Sequence, residues 1–235
     1  MERKLYAIPI SPGNTEQVRR NFQEMKQGAR KQQCEANREL MGVTGEFVVL
    51  QHLPQGDIII AYLEGDDLSQ AGKKSTASGS EYSRWVTQSV LPLYDIDLTN
   101  RGETIDTEVL EDWESAVGVS MDRKLHAIPI SPGNTEQVRR NRQEMKQGAR
   151  KQQCEANREL MGVTREFVLL QHLPQGDIII AYLEGDDLSQ ARKKSNASGS
   201  EYSRWVTQNV LPLYDIDRTK ESLDTEVLAD WESAE

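Results

Sequence analysis

Lys4-Leu5-Tyr6-Ala7-Ile8-Pro9-Ile10-Ser11-Pro12-Gly13-Asn14-Thr15-Glu16 is written a second time, as Lys124 to Glu136, with one change, Tyr6 to His126. The offset of 120 holds without a gap from Met1/Met121 to Asn100/Lys220, and only ten positions differ across it. They are Glu2/Asp122, Tyr6/His126, Phe22/Arg142, Gly45/Arg165, Val49/Leu169, Gly72/Arg192, Thr76/Asn196, Ser89/Asn209, Leu98/Arg218 and Asn100/Lys220. A period this long is no solenoid repeat, since those run to about 20–50 residues. Each copy is of domain size, so the expected organisation is a first repeat over 1–115, a linker over 116–120 and a second repeat over 121–235. Copies long diverged exchange core residues of similar volume, and these have not, which points to recent duplication or genetic fusion, with fusion preferred.

Composition bounds the function. With 37 % hydrophobic and 28 % charged residues the chain is of ordinary globular type. It contains no apolar run near the roughly 20 residues of a membrane helix and no signal-peptide core, so a soluble, cytoplasmic protein with no membrane partner is expected. A net charge of -10 argues against nucleic acid, whose binding is driven by Lys and Arg neutralising phosphates. Cys34 and Cys154 hold the same place in the two copies, with no CxxC partner and no histidine at ligand spacing, which excludes the usual zinc patterns.

Along one copy, Leu5 to Ile10 reads as a strand closed by Ser11-Pro12-Gly13. Val18, Phe22, Met25, Ala29, Ala36 and Leu40 then follow helical spacing, predicting one long amphipathic helix to about Met41, weakened at Gly28 and capped by Asn14 with Gln17. Cys34 falls off that stripe and is expected as a surface thiol. Glu46 to His52 and Ile58 to Leu63 read as a hairpin about Pro54-Gln55-Gly56-Asp57. Asp67 with Gln70 opens a short helix that ends in the Ser75–Ser80 stretch, and Tyr82, Val86, Val90 and Leu93 mark a second helix that Pro92 helps to end. Thr107 to Trp113 reads as a last strand. The order βαββαβ is the ferredoxin-like α+β arrangement, an antiparallel sheet with both helices on one face. Strand residues of both parities are apolar, so the second face needs a cover; the other repeat is the expected one, sheet on sheet, as in a dimer made covalent.

With this order, the twofold repeat and a sheet that needs a partner, the chain resembles the dimeric α/β-barrel superfamily in tandem single-chain form. The resemblance covers nearly the whole chain and rests on topology. It implies a pseudo-dimeric α/β barrel and a ligand between sheet and helices of one half. Families of that fold include cofactor-free and haem-degrading monooxygenases, muconolactone isomerases, polyketide cyclases and chlorite dismutases. The haem-degrading pattern of Asn on the first strand and His on a helix is not matched, since the first strand carries Tyr6 or His126. Trp85 and Trp205 resemble the pocket tryptophan of the cofactor-free monooxygenases, although a lone helical Trp is also ordinary core.

His126 shares strand parity with Ile128 and Ile130, so its ring points where apolar side chains point. An imidazole near its ordinary pKa of about 6.5 serves as general acid or base; Tyr6 donates a hydrogen bond but is a poor base. Packing alone also accounts for both rings. His52 and His172 close a strand and are expected at the rim. The runs Glu64-Gly65-Asp66-Asp67 and Glu184-Gly185-Asp186-Asp187 lack the spaced oxygens of a cation loop, and no phosphate loop, nucleophile elbow or HExxH occurs. Five of the ten differences put Arg or Lys in the second copy. The copies are thus read as tuned apart, so that one pocket is larger and greasier. The functional expectation is an enzyme without metal or organic cofactor, acting on a small hydrophobic or aromatic molecule by proton transfer of cyclase or isomerase type. His126 or Tyr6 is the acid/base, and Phe22, Trp85, Arg142 and Trp205 bind substrate. The alternatives are a ligand-binding or structural pseudo-dimer without turnover, and a cofactor-independent monooxygenase.

Overall fold

A computed structural model describes residues 1–95, 107–115, 122–216 and 225–232. The first apolar run forms β1 (Glu2–Pro9), and the predicted hairpin forms β2 (Val43–Leu53) and β3 (Gly56–Gly65). Strand β1 pairs antiparallel with β3, placing Tyr6 opposite Ala61, and β2 pairs with β3 on its other side. The second repeat builds β5 (Asp122–Pro129), β6 (Val163–Leu173) and β7 (Gly176–Gly185) in the same register, with His126 opposite Ala181.

The long helix is two helices, α1 (Thr15–Met25) and α2 (Gly28–Met41). Gln27 is extended (φ -136°, ψ 150°) and Gly28 has φ +54°, a value that glycine adopts without Cβ strain. That break resets the helical phase. Val18 and Phe22 keep the predicted inward face, but in α2 the inward residues are Cys34, Asn37, Arg38 and Met41, while Ala29, Ala36 and Leu40 are exposed. Cys34 is only 4 % exposed, which overturns the expected surface thiol. Neither Asn14 nor Asp67 makes a side-chain cap bond, whereas Ser80 accepts one from the Ser83 N–H. Helices α3 (Leu68–Ala77) and α4 (Glu81–Trp85) follow, the latter continuing through a π-helical turn at Val86–Val90 into a 3-10 turn at Leu91–Leu93, where Pro92 ends it. The second repeat gives α5 (Thr135–Met145), α6 (Gly148–Met161), α7 (Leu188–Ala197) and α8 (Glu201–Trp205) in the same places.

The last strand of each repeat joins the sheet of the other. Strand β4 (Thr107–Glu114) pairs with β6, and β8 (Thr225–Glu232) pairs with β2. Two four-stranded antiparallel sheets result, ordered β1-β3-β2-β8 and β4-β6-β7-β5. The first compact unit is Met1–Asp106 with Ser222–Glu235, and the second is Thr107–Glu221. Sequence repeat and compact unit therefore differ by one strand each. The expected linker, 116–120, lies outside the described residues.

In each unit the helices cover one sheet face. In the first, Val18 of α1 packs with Ile10, Val48, Leu50, Ile59, Ala61, Leu228 and Ala229, with Tyr6 and Phe22 against them. In the second, Val138 and Met145 of α5 and Cys154 of α6 pack with Ile130, Val168, Leu170, Ile179 and Leu110. The opposite parity, including Leu5, Val49 and Ile60, is buried as well. Both exchanged strands bulge: β4 shifts register between Val109 and Glu111, turning Leu110 and Glu111 inward together, and β8 does so with Leu228 and Ala229.

Candidate functional site

Strand β5, helix α5, strand β6 and the exchanged β4 place a polar cluster under the helices of the second unit. The Arg142 Nη1 donates to Glu166 Oε1 at 3.4 Å, Arg158 Nη2 reaches Glu166 Oε2 at 2.7 Å, and the same Nη2 lies 3.5 Å from Glu111 Oε2. The four side chains form an alternating row, Arg142–Glu166–Arg158–Glu111, and each is at most 16 % exposed. Burial alone would raise the Glu166 pKa, but Arg158 and Arg142 outweigh it and hold the carboxyl below its usual range. Burial likewise opposes the charge on Arg142, while Tyr214, Glu166 and Tyr202 restore it and leave its pKa raised. Arg142 Nε is buried and has no hydrogen-bond partner among the described residues, an arrangement that costs about 1–3 kcal/mol for an unsatisfied donor.

His126 belongs to this neighbourhood. Burial first, then the charge of Lys124, with Arg142 adding a smaller push, lowers its pKa to about 4, and Glu166 offsets only part. The expectation of an imidazole near 6.5 is thereby corrected: at neutral pH the ring is uncharged. The first unit places Tyr6 and Phe22 at the corresponding positions, both packed against its apolar core, and Ala229 in place of Glu111. Its one counterpart ion pair in the row is Arg38–Glu46. The two candidate acid/base positions therefore have unlike surroundings.

A cleft of about 260 Å³ opens beside α5 and β4, lined by Val109, Leu110, Arg139, Arg140, Arg142 and Lys146 among others. It lies on the side of the second unit that carries Arg142. Ligand pockets usually start at about 300 Å³, so this cleft suits a small molecule or one end of a larger one. Leu110 also belongs to the apolar core, so cleft wall and core meet at that residue.

Trp85 and Trp205 are each covered by an arginine. Arg30 lies 4.5 Å over the Trp85 ring and Arg150 4.5 Å over Trp205, while Tyr82 and Tyr202 sit at centroid distances of 5.7 and 6.1 Å. Trp205 packs against the core of the second unit. The rim histidines sit at strand ends, as expected. His52 Nδ1 lies 2.7 Å from Asp57 Oδ1 and its Nε2 lies 3.2 Å from Arg19, which occupies that nitrogen as an acceptor. His172, Asp177 and Arg139 repeat the arrangement. Gly45/Arg165 adds charge that is used: Arg165 bonds Glu184 at 3.2 Å and Glu114 at 2.9 Å. The side chain of Arg192 and the pairs Leu98/Arg218 and Asn100/Lys220 lie outside what is described.

Three members of the cluster escaped the sequence, Glu166, Arg158 and Glu111; Arg158 is identical to Arg38. Glu166 is identical to Glu46 and so carries no signal of difference. Glu111 faces Ala229 only when the tails are aligned at an offset of 118 instead of 120, which a search for shifted repeats would have found. Among the described residues no group of three or more His, Cys, Asp or Glu is arranged to hold a metal ion. Among the described residues no helix is long and apolar enough to cross a membrane.

The fold and cluster define a two-unit α+β protein whose sheets are antiparallel and whose extended Arg142–Glu166–Arg158–Glu111 row lies in the second unit. No family model matches the sequence, and no curated protein matches it. Among solved structures it is similar to a presumed monooxygenase from Fusobacterium nucleatum, at 12 % identity and a TM-score of 0.44, over 99 % of this chain and 97 % of that one. An anthrone oxidase-like protein is similar at 12 % identity and a TM-score of 0.46, over 99 % and 93 % of the two chains. A presumed monooxygenase from Lactobacillus acidophilus matches at 8 % identity and 0.43, over 97 % and 92 %. At these values the likeness carries no argument about chemistry.

Proposed function

We propose that the chain is a small-molecule enzyme working in its second unit, where neutral His126 and the Arg142 guanidinium hold the oxygen of an enolisable hydrophobic or aromatic ligand. One observation carries this reading: a buried Nε–H without an acceptor stands near an uncharged imidazole, at positions the first unit fills with Phe22 and Tyr6. A ring whose pKa is about 4 is a weak base, but as a neutral donor it polarises a carbonyl without losing its proton. The Glu166 carboxylate, held ionised in the same row, takes the α-proton and returns it at the new carbon, while Arg142 meets the negative charge as it develops on the oxygen, the moment at which a preorganised donor in a dry site counts most. Isomerisation or cyclisation through an enolate is the chemistry that fits. The same enolate left open to dioxygen is oxidised, so oxygen uptake belongs in the assay.

The low proton affinity of His126 also favours a second reading, binding without turnover. α-Proton exchange of 2-tetralone in heavy water, followed by NMR, separates the two. Turnover predicts exchange that His126→Phe and Arg142→Gln each lower about 10²- to 10³-fold, and that Tyr6→Phe leaves alone. Exchange at the buffer rate with every protein, together with ring shifts of His126 on adding the ketone, overturns the enzyme and leaves the binder.

A further inference from the structure

The two exchanged strands differ at one inward position. Strands β4 and β8 read Thr-Glu-Val-Leu-Glu-Asp-Trp-Glu and Thr-Glu-Val-Leu-Ala-Asp-Trp-Glu, so Glu111 answers to Ala229. Apart from Glu114, which pairs with Arg165 at 2.9 Å where Glu232 faces Gly45, the main contacts offered to the receiving sheets are duplicated. Glu108 bonds Arg139 at 2.7 Å and Glu226 bonds Arg19 at 2.7 Å. Trp113 lies under Arg158 at 4.8 Å and Trp231 under Arg38 at 4.8 Å. The bulge recurs with Leu110 and Leu228.

The receiving sheets are not alike at the place the bulge addresses. In the second unit Arg142 and Arg158 face Glu166, a surplus of one positive charge that Glu111 cancels. In the first unit Arg38 already balances Glu46, and the position of Arg142 is held by Phe22. Were each last strand to remain with its own repeat, Glu111 would leave the first interior one negative charge in excess and Ala229 would leave the second one positive charge in excess. A buried charge without its partner is strongly destabilising, whereas a completed row is near neutral.

We propose that this buried residue decides which sheet accepts which last strand. Glu111 directs β4 to the edge of β6, in the unit that carries Arg142, and Ala229 directs β8 to the edge of β2, in the unit that carries Phe22. The edges of β2 and β6 are thus selective docking surfaces for an extended segment, distinguished by one inward side chain and not by backbone pairing, which is common to both.

The test uses the full chain refolded from denaturant, with cysteine pairs that report the pairing. Glu114 is the register partner of Arg165, and Gly45 occupies the matching position on β2 opposite Glu232. In the parent background Glu114→Cys with Arg165→Cys closes a cross-link, and Glu114→Cys with Gly45→Cys closes about tenfold less. In the exchanged background, Glu111→Ala with Ala229→Glu, the preference inverts. An unchanged ratio overturns the proposal. Should the exchanged background fail to fold, thermal midpoints decide: Glu111→Ala lowers the midpoint by roughly 5 °C, and adding Arg142→Phe restores at least half of the loss. No restoration overturns it equally.

Discussion

Arg142 donates to Glu166 at 3.4 Å in the second unit, and the first unit, with the same glutamate at Glu46, puts Phe22 in the place of that arginine. The exchange is tolerated because the surrounding charges change with it. Installing the arginine alone in the first unit should therefore fail: Phe22→Arg loses apolar packing and adds a cation beside an already balanced pair. A loss of about 3 kcal/mol is expected, read as the denaturant midpoint, with Arg142→Phe destabilising less because aromatic volume replaces the guanidinium.

His126 makes stability depend on pH. Its folded pKa of about 4 lies below the ordinary 6.5, so the folded state resists the proton that the unfolded chain accepts. The contribution is complete above about pH 6.5 and is lost as pH falls toward 4, up to roughly 3 kcal/mol by linkage and less where water reaches the ring. Against His126→Phe, the parent should show an extra fall in melting temperature across that window. Parallel curves from pH 7 to 4 would remove the half-buried neutral imidazole.

The cysteines should be inert in the folded protein. Burial raises the thiol pKa of Cys34 and of Cys154, an effect that Tyr82 and Arg38, or Arg158 and Tyr202, only partly oppose. Tyr82 and Tyr202 close on the sulfurs at 3.4 and 3.3 Å. Both reasons lower the thiolate fraction and its access, so an aromatic disulfide reagent at pH 8 should label them only as fast as the chain unfolds. Rapid labelling of either without denaturant contradicts the position of α2.

What the sequence revealed and what it hid follow from the range of the interactions. Strands and the hairpin were legible because alternation and the Pro54-Gln55-Gly56 turn are local, and α1 was legible through Val18 and Phe22. Helix α2 was misphased because one extended residue, Gln27, reset a periodicity that Ala29, Ala36 and Leu40 had seemed to continue; its true inward face uses Cys34 with Asn37 and Arg38, and hydropathy ranks the last two as outward. The strand exchange was invisible because β4 and β8 are nearly identical and either sheet satisfies their backbone. The site was partly legible: His126 and Arg142 stood out as differences, while Glu166 and Arg158 stood in both copies and Glu111 lay beyond the ungapped repeat.

The exchange also fixes what the connection between repeats does. Strand β4 belongs to the second unit although its chain comes from the first repeat, and β8 belongs to the first unit although its chain comes from the second. A cut between 116 and 120 therefore divides the chain at a point where each fragment still owns a strand in the other's sheet. Separating the fragments requires β4 to leave β6 and β8 to leave β2, which strips Leu110 and Leu228 from their cores and breaks the Arg139–Glu108 and Arg19–Glu226 pairs. A specific protease site placed over 117–119 should yield two fragments that co-elute at the mass of the intact chain at micromolar concentration and part only in denaturant. Elution as two separate species would show that the strands return to their own repeats once the connection is gone, and with that the exchange would be a product of the tether alone.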